Sequence, residues 1–298
     1  MVVSTFPLVV RSAHDGLPIS DRVVGERWHE QMGWVARFAV GPDRRLATSN
    51  ESCSSGDYFV FLGESLIDSR LDRPSVFAQV CCLVERVAYL REIVPALEDF
   101  KQRWFGRSDL GLHPGVRRDP TDSHRCFEST AVRRAFAADF YAFSMSLPFY
   151  LFAVAVWWTG RWRRGKRGEL TEHLYDKTIP VWMTRLCERA TLPDLAQSLT
   201  FVAESQNDGA DSALWLRFRA ARQVIAQWSG TPELRFAQSV QKETDAGLDI
   251  ARMAALPIAR HVRAIEPRID PAFECLRPKF LSSRHDATDQ RGIYKMQR

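Results

Sequence analysis

Residues 58–65 read YFVFLGES, and this stretch decides how the chain is interpreted. Aromatic and β-branched residues fill its first half, which predicts a buried β-strand. The strand ends at Gly63, and Glu64 and Ser65 follow at once. Polar side chains at the carboxyl end of a strand are a usual place for a ligand site in α/β proteins. Since glycine has no side chain, position 63 cannot contribute a ligand to such a site.

The composition is that of an ordinary globular protein with a mild excess of positive charge. The chain has 298 residues, 45% of them hydrophobic and 26% charged, which is enough for one large α/β domain or two small ones. The formal net charge is +5 and the isoelectric point is close to 9.0. This balance permits an anionic partner such as nucleic acid, but it does not require one.

Cysteine usage and hydropathy predict a cytoplasmic protein. The six cysteines show no CxxC or other metal-ligand spacing, and Cys81 and Cys82 lie side by side in an apolar run. A reduced compartment fits this pattern. The apolar run at residues 147–158 contains Pro148 and is too short to span a bilayer, and no secretory signal is recognisable at the amino terminus. We therefore expect no membrane partner.

Hydrophobic periodicity divides the chain into three parts. Residues 1–52 are an amino-terminal extension of unknown role, residues 57–281 form one domain, and residues 282–298 are a polar tail predicted to be disordered. Strands are predicted at residues 59–62, 76–84, 110–113, 149–158 and 199–203, with a short one at 234–240. Helices are predicted at residues 88–104, 130–145, 174–190, 212–228 and 248–262, the last interrupted at Pro257. This alternation predicts an α/β fold, with a mixed sheet of about five strands and helices on both faces.

Four short patterns follow one another along residues 58–280 in an order that carries a family resemblance. They are Gly63-Glu64-Ser65; Phe100-Lys101 with Phe105-Gly106 and Leu112-His113; Val202-Ala203-Glu204 with Asp211; and Gly247-Leu248-Asp249-Ile250-Ala251-Arg252 with Pro257-Ile258 and Pro278-Lys279-Phe280. In this order they resemble the domain of unknown function 3800 family, a prokaryotic and phage-associated group. The resemblance implies a ribonuclease H-like fold for residues 57–281, with carboxylates that converge on Mg²⁺ and activate water.

Two positions depart from the family pattern, and both belong to the metal-binding set that the resemblance implies. Gly63 stands where the family has the aspartate of the first strand, and Arg252 stands where it has the aspartate of the closing helix. Loss of one ligand weakens metal binding, and a cation in place of another repels the metal directly. The resemblance with these departures implies a nuclease-shaped protein with a degenerate metal site, for which no cofactor is expected.

Glu204, at the end of a predicted strand, is the carboxylate that the pattern retains. Because an isolated buried charge is costly, we predict that Glu204 pairs with Arg252 in place of a metal bridge. The alternatives are that Glu204 faces solvent, or that a shifted set of Glu64, Glu204 and Asp249 binds Mg²⁺. The shifted set needs two adjustments, since strand alternation places Glu64 on the opposite face from residue 63 and Asp249 lies one turn before Arg252.

Other candidate site residues lie in loops and at a helix start. His113 follows a predicted strand, where it either positions water or phosphate or has a structural role. Asp211 opens a predicted helix and suits an N-cap better than a metal ligand. One loop combines cations with a tryptophan and suits contact with a phosphate backbone and a stacked base, although solvated loops of this kind are equally common: Arg161, Trp162, Arg163, Arg164, Lys166 and Arg167.

The function that these features favour is that of a nuclease-like protein that binds nucleic acid or a protein partner without cleaving phosphodiester bonds. The alternative is a Mg²⁺-dependent nuclease that hydrolyses DNA or RNA with the shifted carboxylates. The residues leave open the oligomeric state, the choice between DNA and RNA, and the phage or mobile-element setting that the resemblance suggests.

Overall fold

The fold is that of a computed structural model, which describes residues 36–37, 56–67, 74–112, 129–158, 167–190, 197–205, 208–228, 231–239, 245–264, 270–281 and 292–297. Among the described helices, none is both long enough and apolar enough to cross a membrane.

Seven strands form one mixed sheet in the order β1-β6-β5-β2-β3-β4-β7. The strands are β1 Ala36–Arg37, β2 Asp57–Ile67, β3 Ser75–Glu85, β4 Tyr150–Trp158, β5 Ser198–Glu204, β6 Glu233–Ser239 and β7 Ile293–Gln297. Strands β2, β3 and β4 pair antiparallel in that order, with a long helical connection between β3 and β4, whereas β5 and β6 run parallel to β2 on its other side. At the two edges, β1 is parallel to β6 and β7 is parallel to β4. The predicted α/β fold with a mixed sheet is confirmed, and the sheet is wider than expected.

Helices cover both faces of the sheet, as predicted. They are α1 Val94–Phe105, α2 Thr130–Ser146, α3 Arg167–Ala190, α4 Asp208–Ile225, α5 Ala246–Arg263 and α6 Pro271–Leu276, with a helical turn Arg86–Ala88 and a π-helical segment Tyr89–Ile93 before α1 and a 3-10 turn Arg277–Lys279 after α6. Helices α1, α2, α5 and α6 share a core with one face of the sheet, which we call the α5 face. Helices α3 and α4 share a core with the other, the α3 face.

The middle strands are buried on both sides. In β3, Val76 and Ala78 point to the α5 face, whereas Phe77 points to the α3 face. This double burial explains why β3 is apolar at most positions on both faces, with the buried Gln79 as a polar exception, instead of alternating apolar and polar residues. In β2, Phe61 lies on the α5 face and Leu62 on the α3 face.

Helix α5 lies directly on β2. At Gly63 of β2 and Gly247 of α5, no side chain separates the helix from the strand. A Cβ atom built on Gly63 would lie 2.2 Å from the carbonyl carbon of Ala251 and 2.6 Å from the backbone nitrogen of Arg252. A Cβ atom on Gly247 would lie 2.1 Å from the ring of Phe61. These distances are far below van der Waals contact, so the packing admits only glycine at both positions. The backbone of α5 therefore fills the space where the resemblance places a metal-binding side chain.

A buried cap fixes the start of α5. Asp245 accepts hydrogen bonds from the backbone N–H groups of Gly247 (3.0 Å) and Leu248 (3.3 Å) and from the hydroxyl of Tyr89 (3.1 Å). The ring of Tyr89 packs against Phe61 with 4.9 Å between centroids. Burial raises the pKa of Asp245 to about 6, although these hydrogen bonds act to lower it. The cap and the ring contact together fix where α5 begins along β2.

Pro257 does not interrupt α5, contrary to the prediction. The helix runs continuously from Ala246 to Arg263. A proline removes the hydrogen bond to the carbonyl four residues earlier, here that of Met253. The hydroxyl of Tyr141 on α2 donates to this carbonyl at 3.1 Å instead. Because the carbonyl keeps a partner, the helix continues through the proline.

The strand predicted at residues 110–113 is wrong. Leu110, Gly111 and Leu112 are buried but belong to no strand. The backbone N–H of Leu112 donates to a side-chain oxygen of Asp249 at 2.9 Å instead of pairing with a neighbouring strand. The apolar run is therefore a buried connecting segment. Hydrophobic periodicity does not distinguish such a segment from a short strand.

The carboxyl-terminal tail, residues 282–298, contributes a strand where disorder was predicted. Strand β7 pairs with β4 through five residues, from Ile293 opposite Ala153 to Gln297 opposite Trp157. Ile293 packs on the α5 face, while Tyr294 packs on the α3 face. The tail thus alternates as a strand does, although its overall composition is polar. Of the extension, residues 1–52, the described part is β1.

Substitution of Gly63 by alanine is expected to destabilise the fold by about 3 kcal/mol, because the new methyl group would overlap the α5 backbone, which has little room to move. Gly106→Ala is the matched control: its φ is 69° and no atom lies within 4 Å of the Cβ position, so only backbone strain of about 1 kcal/mol is expected. Chemical denaturation of both variants measures the difference. Equal losses of stability would contradict the close approach at Gly63.

Candidate functional site

The carboxyl end of β5, the first turns of α5 and helix α1 bring four charged side chains into one chain of contacts, beside Gly63 of β2, a strand that continues to Ile67 instead of ending at Gly63 as expected. Asp249 and Arg252 come from α5, Glu204 ends β5, and Lys101 projects from α1. Their order is Lys101, Asp249, Arg252, Glu204, so that positive and negative groups alternate. We call this set the charge chain. It lies on the α5 face, next to Gly63.

Asp249 is the most deeply buried member of the charge chain. Its carboxylate is 2.5 Å from Nζ of Lys101, which is itself buried. It also accepts the backbone N–H of Leu112 at 2.9 Å. In the first turn of α5, its negative charge is favourably placed at the positive end of the helix dipole. Asp249 is therefore held by a cation, a backbone donor and a helix end.

Arg252 links the buried and the exposed ends of the charge chain. Its Nε lies 3.8 Å from Oε2 of Glu204, and its Nη2 lies 3.7 Å from Oδ1 of Asp249. The same Nε donates a hydrogen bond to the carbonyl of Leu248 at 3.3 Å. The side chain of Glu204 is 27% exposed, so its carboxylate reaches the surface. The predicted ion pair between Glu204 and Arg252 is present, with the two groups near the outer limit of ion-pair distance.

The charge chain does not suit a divalent metal. Two carboxylates and two cations balance one another, whereas a Mg²⁺ site needs several oxygen ligands that no cation already occupies. The ligand expected at residue 63 is excluded by the α5 backbone, and the one expected at residue 252 is a guanidinium. Within the described ranges, no group of three or more His, Cys, Asp and Glu side chains is placed to hold a metal ion.

Glu64 lies on the α3 face, as strand alternation predicted. Its Oε2 accepts the hydroxyl of Tyr175 at 2.9 Å, and its Oε1 accepts Nε2 of Gln79 at 3.0 Å. The Oε1 of Gln79 in turn accepts the indole N–H of Trp182 at 2.7 Å. Burial raises the pKa of Glu64 to about 7, and the negative charge of Glu204 adds to the rise. The raised pKa favours the protonated form of Glu64 in the folded protein relative to the unfolded chain.

The shifted set of Glu64, Glu204 and Asp249 is divided by the sheet. Glu64 is bonded to residues of the α3 face, whereas Asp249 is bonded to residues of the α5 face. Glu204 lies near Arg252 on the α5 face. The structure therefore does not bring these three carboxylates to one point, and the two adjustments that an active site would need are not made.

Sequence reasoning missed the roles of Lys101 and Tyr175. Lys101 was noted only as part of a sequence pattern, but its position was informative, because it lies one turn after Leu97 on the apolar side of α1. A charged residue at such a position is buried and needs a partner. Tyr175 gave no signal of this kind, since a tyrosine on a helix next to a sheet is usually core.

Of the remaining candidate residues, none that the structure describes belongs to the charge chain. Asp211 is the fourth residue of α4 and accepts the hydroxyl of Ser205 at 2.6 Å, so the expected N-cap role is wrong. His113 lies outside the described residues, as does most of the predicted nucleic-acid loop: Arg161, Trp162, Arg163, Arg164 and Lys166. Arg167 begins α3, and its side chain is not described.

Comparison with protein-family models, with curated proteins and with solved structures gave no significant match to this chain. What the site can do therefore follows from its own geometry and charge.

Asp249→Asn is expected to destabilise the fold by about 3 kcal/mol or more, because it leaves the buried Lys101 without a compensating charge. Asp176→Asn is the matched control, since Asp176 pairs with Arg217 at 2.6 Å on the surface and its loss should cost less than about 1 kcal/mol. Urea unfolding of both variants provides the comparison. If Asp249→Asn were as mild as the control, the charge chain would not stabilise the fold.

The raised pKa of Glu64 predicts that stability falls with rising pH. Between the ordinary carboxyl pKa of 4.5 and the folded value of about 7, the folded state binds more protons than the unfolded state, so the free energy of unfolding decreases as pH rises. The full effect is at most about 3 kcal/mol. Glu64→Gln should flatten the pH dependence and raise the melting temperature above neutral pH.

The measurement is thermal unfolding between about pH 5 and pH 8. Glu188→Gln, which changes an exposed carboxylate on α3, is the control and should leave the pH dependence unchanged. Part of the slope should survive in Glu64→Gln, since the pKa of Asp245 is also raised, to about 6. Identical pH profiles for the wild type and Glu64→Gln would show that Glu64 ionises in the folded state at its ordinary pKa.

Proposed function

We propose that this chain is a nuclease-like protein without metal-dependent chemistry, which acts by binding nucleic acid or a protein partner. One observation carries the proposal. The place where a metal site is expected is filled by the α5 backbone at Gly63 and by the guanidinium of Arg252. The remaining carboxylates, Asp249 and Glu204, are each held by a cation.

The strand order supports the ribonuclease H-like part of the proposal. Five central strands lie in the order β4-β3-β2-β5-β6, with β3 antiparallel to both β2 and β4, and β5 and β6 parallel to β2. This strand order and these strand directions are consistent with the ribonuclease H-like fold that the resemblance implies. Fold alone does not specify a reaction. The chemistry is therefore inferred from the charge chain.

The positive charges beside the carboxylates support the proposed loss of metal binding. A divalent metal lowers its energy by replacing water with carboxylate oxygens, and the cost of bringing it near fixed positive charges is several kcal/mol at these distances. Lys101 and Arg252 already supply two positive charges to Asp249 and Glu204. A metal would have to displace a buried cation, which would then lack a partner.

A binding role in the cytoplasm belongs to the same proposal. The mild positive charge of the chain suits an anionic partner. The described cysteines, Cys81, Cys82, Cys187 and Cys275, are free thiols, which suits a reducing compartment. The phage or mobile-element setting that the resemblance implies is part of the proposal and rests on the sequence patterns.

A cleavage assay tests the proposal. We expect no hydrolysis of single- or double-stranded DNA or RNA by the purified protein with Mg²⁺ or Mn²⁺, because no set of carboxylates is free to hold the ion. Glu204→Gln, with Glu188→Gln as the surface control, should leave this background unchanged. Metal-dependent cleavage that Glu204→Gln abolishes and Glu188→Gln retains would overturn the proposal in favour of the shifted carboxylate set.

A further inference from the structure

The far end of α5 carries a second group of charged residues, separate from the charge chain. Arg263 ends the helix, and its Nε donates to the carbonyl of Pro74 at 3.1 Å, immediately before β3 begins. In the sheet beside it, Val76 of β3 pairs with Trp157 of β4. Trp157 pairs in turn with Gln297 of β7. The end of α5 therefore lies over the same edge of the sheet as the carboxyl ends of β4 and β7.

Trp157 and Lys295 face this helix end. Trp157 packs on the α5 face, and so does Ile293 of β7. Tyr294 and Met296 pack on the α3 face, which places the intervening Lys295 on the α5 face by alternation. Lys295 pairs with Ala155, two residues from Trp157, so the tryptophan and the lysine are diagonal neighbours on one surface.

His261 on α5 lies close to cations of β7 and of the turn after α6. The pKa of His261 is lowered, first by burial and then by the positive charge of Lys295, with Arg277 acting in the same direction. His261 lies on α5 next to Arg260, with its ring stacked on Phe273 of α6. Lys295 of β7 and Arg277 of the turn after α6 therefore lie near this end of α5, where the helix dipole also favours cations.

The neighbouring carboxylates are already engaged. Glu274 pairs with Arg277 at 3.4 Å, and Asp270 caps α6 by accepting the N–H of Ala272 at 3.0 Å. Among the described residues, no carboxylate forms an ion pair with Arg260, Arg263 or Lys295. Arg260 and Lys295 are exposed, and Arg263 is partly exposed.

We propose that Arg260, Arg263, Lys295 and Trp157 form a binding surface for single-stranded nucleic acid, with the three cations on successive phosphates and the indole under an unpaired base. This surface rests on the proposed binding function and names where it acts and on what. Cations that neutralise phosphates release counterions and drive association without sequence preference. An aromatic face beside them adds base stacking, which a duplex does not offer. Four cations of the predicted loop, Arg161, Arg163, Arg164 and Lys166, follow Trp158 in the sequence but lie outside the described residues and form no part of this surface.

The test compares two triple variants of equal charge change. Arg260→Gln/Arg263→Gln/Lys295→Gln removes the cations of the surface, while Arg91→Gln/Arg134→Gln/Arg219→Gln removes three exposed arginines from other helical segments. Fluorescence anisotropy with oligo(dT) and oligo(U) of about 20 nucleotides, at salt concentrations from about 50 to 200 mM, gives the affinity and its salt dependence. We expect the surface variant to bind at least about tenfold more weakly and to lose about 2 from the slope of log affinity against log salt, since each phosphate contact contributes about 0.7.

Trp157→Leu tests the stacking part separately. It should weaken binding to single strands about tenfold and leave the salt slope unchanged, and melting temperature confirms that the variant is folded. Wild-type binding that both triple variants reduce equally would overturn this surface while leaving nucleic-acid binding as the function. Equal affinity of the wild type for a duplex of the same length would overturn the single-strand assignment. Absence of any binding by the wild type would remove nucleic acid as the partner, whatever the outcome of the cleavage assay.

Discussion

The close approach of α5 to β2 is the constraint on which the rest of the structure depends. The helix backbone touches the strand at Gly63, and its first turn touches the ring of Phe61 at Gly247. Because any larger residue at either glycine would lift the helix, the two glycines fix its height above the sheet. The cap at Asp245 fixes its position along the strand. The locations of Asp249, of Arg252 and of the cationic end of the helix all follow from these contacts.

The same contact buries charged side chains, and the charge chain supplies their partners. Tight packing takes Asp249 and Arg252 away from water, and a buried charge without a partner is far more costly than a buried pair. Lys101 from α1 and Glu204 from β5 supply the opposite charges. Since these partners come from different elements, the charge chain also ties α1, α5 and β5 to one arrangement. Loss of Asp249 would leave Lys101 without its partner, and loss of Arg252 would leave Glu204 without its partner.

Most strands, the helices on both faces and the face on which Glu64 lies could be predicted from the sequence, because apolar periodicity reports burial directly. The pairing of Glu204 with Arg252 could also be predicted, since a retained carboxylate and a new cation in one expected site need each other. The role of Gly63 could not, because sequence shows that a side chain is missing but not what occupies its place. Strand β7 was missed because the polar composition of its surroundings hid a five-residue alternation.

A site that has only lost a ligand leaves an open space, whereas a replaced site has that space filled. The geometry at Gly63 distinguishes these two cases. If the carboxylate had only been deleted, the space of its side chain would stand open for water or for a neighbouring carboxylate. Instead the backbone at Ala251 and Arg252 fills that space, so an aspartate at position 63 could be accommodated only if α5 moved away from the sheet. Such a movement would separate Asp249 from Lys101 and Arg252 from Glu204, which the charge chain opposes. Packing and electrostatics therefore favour the same closed arrangement, and a function of this chain is better sought on its outer surfaces than beside Gly63.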